Sequence, residues 1–437
     1  MKKIIGKSMG FVYSFSIRLL GLFFQFALSI AVARLLGTAG AGIYSIYTSW
    51  FNLLSNAVSF GLPQYAIRHI SILHAEKKPR QIKEFIIYSL KFFLFSGLIS
   101  IIVFYTFGNE LTQIAAGGAA NGYILKLSAV AATVFIILKF FSEILKSINK
   151  LNIAMLIESL LLPFFLVVSL YLLSNSSISD KPQAFLNIHI GILLILSCIS
   201  WLLCKHELHS LEENKSTTTS SVVAESVNFK KLVPFWLSSI LGMWFLSMPL
   251  LFAPVFSDIH DTGIFSSAYR LITVIVNVMM VLSGIYGPRF ARNYNNNNYA
   301  LLYEDLKKTA YISMGMFLPL FLIFMIFPSE ILGIFGADFR AGAHWLQIMA
   351  AGQLIYSATG LVGLLLNMIH KEKLELMLMV LSSVLMVIMM LILGYLYSIT
   401  GIAIAFAVGL AFKNLVSLFF AHSILKKLIA THINHSA

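Results

Sequence analysis

Long unbroken apolar runs constrain this chain more than any other feature. Stretches of about 20 residues recur along it with few charges, and about 20 apolar residues is what an α-helix needs to cross a bilayer. The runs are continuous rather than alternating, so they predict helices, not barrel strands. Of 437 residues, 59% are hydrophobic and 11% charged, proportions that exclude a soluble domain of this size. The expected fold is an all-α polytopic membrane protein with about twelve spans. These run over 10–35, 42–66, 85–107, 123–142, 153–173, 185–204, 232–256, 263–288, 309–328, 343–367, 374–397 and 402–424.

The net charge of +13 would suggest nucleic acid in a soluble protein. Here its distribution points to topology instead, and no nucleic-acid partner is expected. Alternate loops (1–9, 67–84, 143–152, 205–231, 289–308, 368–373 and 425–437) hold 22 Lys and Arg, against only Lys181 and Arg340 in the opposite set. The positive-inside rule then predicts cytoplasmic N- and C-termini. Lys2, Lys3 and a following apolar run resemble a signal peptide, but Arg18 interrupts the run, so an uncleaved first helix is expected. Cys198 and Cys204 fall on one predicted helix and imply no disulfide framework. The Ser/Thr-rich segment 205–231 lacks periodicity and reads as a cytoplasmic linker between a first lobe, 1–204, and a second, 232–437. Every outside segment is short, which leaves no room for an external domain.

A pattern occurs twice. Residues 33–68 and 256–292 each give a polar turn, Gly-Ile-aromatic-Ser, a long apolar span and a Gly/Pro exit with a basic flank. A shift of 221 positions superposes Gly42 on Gly263, Ile43 on Ile264, Ser45 on Ser266 and Asn56 on Asn277. Each copy sits at the second span of a six-span half. Six is even, so the halves enter the membrane in the same direction, and binding sites in such folds lie between the repeats.

Polar residues inside spans mark the candidate site. Ser14, Arg18, Gly21, Gln25 and Ser29 follow one helical face, as do Ser45, Thr48, Asn52, Asn56 and Ser59. Ser266, Arg270, Thr273, Asn277 and Gly284 repeat the pattern. In lipid such faces are costly, so they are expected to face protein or water. Lys413 lies near the centre of its span, and Arg18 and Arg270 lie roughly 10–12 Å inside theirs at 1.5 Å per residue. Lys91 is shallower; Arg34, Lys126 and Lys139 lie close enough to span ends to snorkel. Glu158 is the one carboxylate clearly within a span, a candidate for ion coupling or for pairing with a Lys. The deep charge balance is therefore positive, which suits an anionic substrate, and an Arg fork matches phosphate oxygens. Arg18, Arg270, Lys413, Lys91 and Arg34 are the candidate head-group ligands. Gln25, Asn52, Asn56 and Asn277 are the candidates for sugar contacts. No zinc spacing, nucleophile elbow or P-loop is present, and neither enzyme chemistry, metal nor cofactor is expected. Asp258-Ile-His-Asp261 reads as a solvated turn.

The run Ala33-Arg34-Leu35-Leu36-Gly37, with Gly42-Ile43-Tyr44 and Gly61-Leu62-Pro63, resembles the hallmark of the polysaccharide-biosynthesis exporters. Gly263 through Arg270 resembles that family's Gly-x-Tyr-x-x-Ala-x-Arg. The resemblance implies an O-antigen flippase of the Wzx type, within the multidrug/oligosaccharidyl-lipid/polysaccharide exporter superfamily. It implies two six-helix lobes around a central cavity, alternating access, and undecaprenyl-diphosphate-linked oligosaccharide as substrate in a bacterial inner membrane. Spans one, two, seven and eight would line the cavity. Membrane lipids, a polysaccharide polymerase and a chain-length regulator are the implied partners. Peptidoglycan-precursor flippases of the same superfamily usually have fourteen spans, so twelve favours the O-antigen or capsule branch. One rival is a cation-coupled multidrug antiporter of the same superfamily, which needs buried acid. A more distant rival is a membrane O-antigen polymerase or glycosyltransferase, which typically carries a large outside loop.

Overall fold

The computed structural model describes residues 2–76, 78–115, 122–148, 150–213 and 229–436. Every regular element among them is a helix. The chain divides into two units, Met1–Ser247 and Met248–Ala437. The first contains α1 (Lys2–Ser59), α2 (Leu62–Ala75), α3 (Pro79–Thr106), α4 (Gly108–Ala115) and α5 (Gly122–Ser147). It continues with α6 (Leu151–Met155), a π-helical turn (Leu156–Leu161), α7 (Leu162–Ser174) and α8 (Lys181–Glu213). Helix α9 (Phe229–Phe256) contains the division. The second unit holds α10 (Ile259–Ile272), α11 (Val274–Asn295), α12 (Tyr299–Ile326), α13 (Pro328–Gly333), α14 (Ala343–Thr359), α15 (Val362–Met368) and α16 (Glu372–Ser436).

Among the described residues, nine helical elements are long and apolar enough to cross a membrane. Two of them are far longer than one crossing requires, and each is broken. Gly37 interrupts α1 at φ 72°, and Ser398 interrupts α16 at φ 52°. Positive φ is nearly free for glycine and costly for a residue with Cβ. That is the physical content of the glycine ending the Ala-Arg-x-Leu-Gly run.

Within the first unit, α5 is the central helix. Two thirds of its most apolar window is buried (67%), against 22% for α3. Ala129, Ala131 and Ala132 are fully buried, because small side chains let helices approach closely where the surroundings are already apolar. Ser128 donates to the Tyr47 carbonyl at 3.2 Å, and Ser197 to that of Val134 at 3.3 Å. The early part of α9 joins this unit through Trp236. Its indole N–H donates to the Ala57 carbonyl at 3.0 Å, and its ring stacks on Phe60 with centroids 4.6 Å apart.

In the second unit α14 is central. Its Gly352 lies against the Ala407 backbone of α16, where a Cβ would come within 2.5 Å of the Ala407 Cα. Gly360, at φ 63°, ends α14, and a new helix starts two residues on. The freed Leu361 N–H is taken up by the Thr309 hydroxyl at 3.3 Å.

Several expected loops are shorter than the sequence suggests. The span expected over 42–66 breaks at Phe60–Gly61 and resumes as α2, so 67–84 is mostly helix. The expected loop 289–308 reduces to the turn between Asn295 and Tyr299. Hydrophobicity alone marks where the apolar core of a helix ends; polar turns beyond it continue helical because their backbone hydrogen bonds still need partners. Of the expected linker 205–231, helices cover 205–213 and 229–231, and 214–228 lie outside the described residues.

Candidate functional site

The first unit carries seven of the candidate residues. Arg18 is half-buried on α1. Gln25 and Arg34, on the same helix, are exposed. The stripe to which Arg18 and Gln25 belong is not uniformly open, because Gly21 is buried against the Ser159 backbone. Asn52 is half-buried and Asn56 buried, and the Asn56 amide donates to the Asn52 carbonyl at 2.9 Å. Lys91 is exposed on α3.

The seventh, Glu158, sits in the π-helical turn. Lys146 lies 2.9 Å from Glu158 and 3.1 Å from Glu143, and the Ser142 hydroxyl donates to Glu158 at 3.2 Å. The extra residue of a π turn rotates the side chains that follow it, and such turns cluster at functional sites. Here it sets Glu158 toward α5.

In the second unit Arg270 is half-buried in the last turn of α10. Asn277 is half-buried on α11, past the break at Thr273. Lys413 differs from expectation. It forms an ion pair with Glu375, whose other oxygen accepts from the Ser417 hydroxyl at 3.1 Å. The two side chains are 13% and 11% exposed. Glu158, expected as the one carboxylate clearly within a span, is half-buried. Glu375 and Glu143 are buried, and among the described residues each of the three carboxylates faces a lysine. The sequence hid Glu375 because it falls in the first turn of its helix, where a carboxylate also serves the helix dipole at the surface.

The pair borders a cavity of about 360 Å³ also lined by Ser283, Tyr356, Asn367 and Asn414. Gly363 makes room for it: a Cβ there would collide with the Glu375 carboxylate and lie 3.1 Å from the Lys413 Nζ. Asn367, Asn414 and Tyr356 were not among the sequence candidates. Their only signal was a polar residue in an apolar helix, a signal many packing residues share. Asp258, from the acidic turn, caps α10 by accepting from the Asp261 N–H at 2.8 Å, which is a structural use of that motif.

These helices, with paired charges inside two long-helix units, define a multipass membrane protein with the fold of the multidrug/oligosaccharidyl-lipid/polysaccharide superfamily. Similar solved structures show the same fold. An inward-facing multidrug resistance MATE family transporter of that superfamily aligns with a TM-score of 0.73 at 14% identity, over 96% of this chain and 99% of its own. The lipid II flippase MurJ in an inward closed conformation aligns with a TM-score of 0.64 at 14% identity, over 94% of this chain and 87% of its own.

The chain belongs to the polysaccharide biosynthesis protein family, whose profile matches residues 9–294, more than half its length. The MatE profile matches 234–393. A curated relative, the probable low-salt glycan biosynthesis flippase Agl15 of Haloferax volcanii, is 24% identical over 180 residues, 41% of this chain. The match spans 38% of that relative's length.

Proposed function

We propose that this protein is a flippase for a polyprenyl-diphosphate-linked oligosaccharide, the O-antigen, capsule or exopolysaccharide repeat unit of a bacterial inner membrane. The observation that carries the reading is the family match over 9–294, on a chain whose spans contain Arg18 and Arg270. With α1 and α16 each read as two crossings, and Ile240–Phe256 as a further one, the chain crosses twelve times. Lobes 1–204 and 232–437, linked through 205–231, then alternate between access from the two sides.

In this reading Arg18 and Arg270 hold the diphosphate through paired N–H donors. Lys91 and Arg34 add positive potential near the membrane surface. Gln25, Asn52, Asn56 and Asn277 contact sugar hydroxyls, and the prenyl tail stays in lipid. Lys413 contributes less than its depth suggests, because Glu375 already neutralises it. Likewise the Lys146 partner makes Glu158 a structural carboxylate before an ion-coupling one. Downstream polymerisation, which removes the product, then supplies the drive, and no covalent step occurs on the protein.

A cation-coupled multidrug antiporter is the second reading. Buried Glu143 and Glu375 and half-buried Glu158 favour it, since export of organic cations needs intramembrane acid. The lysine beside each carboxylate argues for the flippase. Deletion of the gene, complemented with wild type, Arg18→Ala or Arg270→Ala, tests the choice. The flippase reading expects loss of surface polysaccharide, accumulation of the lipid-linked unit in the cytoplasmic leaflet, and failure of both Arg variants at normal protein levels. Unchanged surface glycan with new sensitivity to cationic drugs would support the antiporter instead.

A further inference from the structure

A groove of about 500 Å³ opens on the surface of the second unit, with α12 and α16 as walls and the end of α14 as floor. Its lining is mostly apolar: Leu306, Ala310, Ala358, Leu415, Leu418 and Phe419. Tyr311 and Phe419, on its walls, are 74% and 69% exposed, so no other described part of the chain covers it. Ala310 and Ala358 are small, and their missing bulk contributes to the depression.

One end is polar and cationic. Lys307 lies over the Tyr303 ring, 4.3 Å from its centroid, and the Tyr303 hydroxyl meets His422 Nδ1 at 3.2 Å. The next lysine, Lys308, turns away to Glu304 at 3.5 Å. No described carboxylate pairs with Lys307, so its charge is directed at whatever fills the groove. This end borders the Lys/Arg-rich segments, with Arg289 and Arg292 preceding α12 and Lys426 and Lys427 following His422.

The dimensions match half a bilayer. From Tyr303 to Tyr311 the wall rises about 12 Å at 1.5 Å per residue, and one leaflet of a 30 Å hydrocarbon core is about 15 Å deep. Where such an apolar groove opens on the hydrocarbon layer, lipid chains rather than water fill it. Basic pockets between transmembrane helices at the membrane surface select anionic head groups.

We infer that this groove is a binding site for an anionic glycerophospholipid, its phosphate at Lys307, Tyr303 and His422 and one acyl chain along Ala310, Ala358 and Leu415. The site is separate from the sugar-lipid ligands proposed above and does not depend on them. The bound lipid ties α12 to α16, so it stabilises the second unit.

The test uses the full-length protein, purified and delipidated in a neutral maltoside detergent. Thermal melting is followed while phosphatidylglycerol, phosphatidylcholine or sn-glycerol 3-phosphate is added. Phosphatidylglycerol is expected to raise the melting temperature and the other two to leave it nearly unchanged. Lys307→Glu is expected to raise the phosphatidylglycerol concentration for half the effect about tenfold. Lys308→Glu, with the same change of net charge one residue away, is expected to shift it little. Ala310→Leu, which keeps every charge and fills the groove from its α12 wall, is expected to weaken the effect as well.

Equal responses of Lys307→Glu and Lys308→Glu would reduce the effect to general surface charge and overturn the site. A full shift with glycerol phosphate alone would make it a free-anion site and overturn the lipid assignment. A polyprenyl phosphate acting at lower concentration than phosphatidylglycerol would give the groove to the substrate's tail. If Lys307→Glu does not yield folded protein, Ala310→Leu decides, and undiminished lipid dependence there overturns the proposal.

Discussion

Single side chains carry clear expectations. Lys413→Met leaves Glu375 buried and unpaired, and removing one partner of a buried pair costs about 3–5 kcal/mol. The melting temperature of the purified protein should fall sharply, and the double variant Lys413→Met/Glu375→Gln should recover much of the loss. An equal loss in single and double variants would show that the charge pairing is not the cause. His189 offers the opposite sign. It is buried against Tyr44, Tyr47 and Phe51, and neither ring nitrogen finds a hydrogen-bond partner among the described residues. A buried polar group left unsatisfied costs about 1–3 kcal/mol. His189→Phe, close in shape, is therefore expected to hold or raise the melting temperature; a clear drop would reveal a bound water or another partner. Depth in a span was legible for Lys413, but its partner was not. Glu375 lies 38 positions away, a separation no local pattern bridges.

At the scale of elements, the breaks set the character of the second unit. At Gly360 a Cβ would lie 2.7 Å from both the Thr309 hydroxyl and the Ala310 nitrogen, in a backbone with φ 63°. Gly360→Ala meets both strain and collision and should destabilise by about 1–3 kcal/mol. Thr309→Val should cost about 1–3 kcal/mol by stranding the Leu361 N–H. Both are measured by thermal melting. The sequence marks the break at Gly37, because the polar turn around it interrupts the apolar run. It does not mark the break at Gly360, because apolar residues continue on both sides. There the interruption depends on Thr309 of a neighbouring helix, which only packing brings into reach.

For the whole molecule, sidedness is the leading expectation. With Cys198 and Cys204 replaced by Ser, a single cysteine at Ser176 should react with a membrane-impermeant maleimide in intact cells. One at Asn297 should react only after the membrane is opened. Labelling of Asn297→Cys in intact cells would reverse the charge argument for topology. The paired halves also express themselves in packing: Gly42 and Ser45 are buried in one unit, and Gly263 and Ser266 in the other. The other two superposed pairs differ: Ile43 is half-buried where Ile264 is buried, and Asn277 is half-buried where Asn56 is buried.

The sequence by itself determined that the chain is a membrane-spanning helical protein, and its motif pointed to the polysaccharide-exporter family. Those conclusions rest on hydrophobicity and short spacings, which the solvent reads one segment at a time. Tertiary structure alone decided which charges are available. It paired Lys413 with Glu375 and Lys146 with Glu143 and Glu158, and it set Lys307 at the edge of an apolar groove. The physical reason is that an intramembrane charge takes its meaning from what lies within a few ångströms, and that distance is set by helix packing.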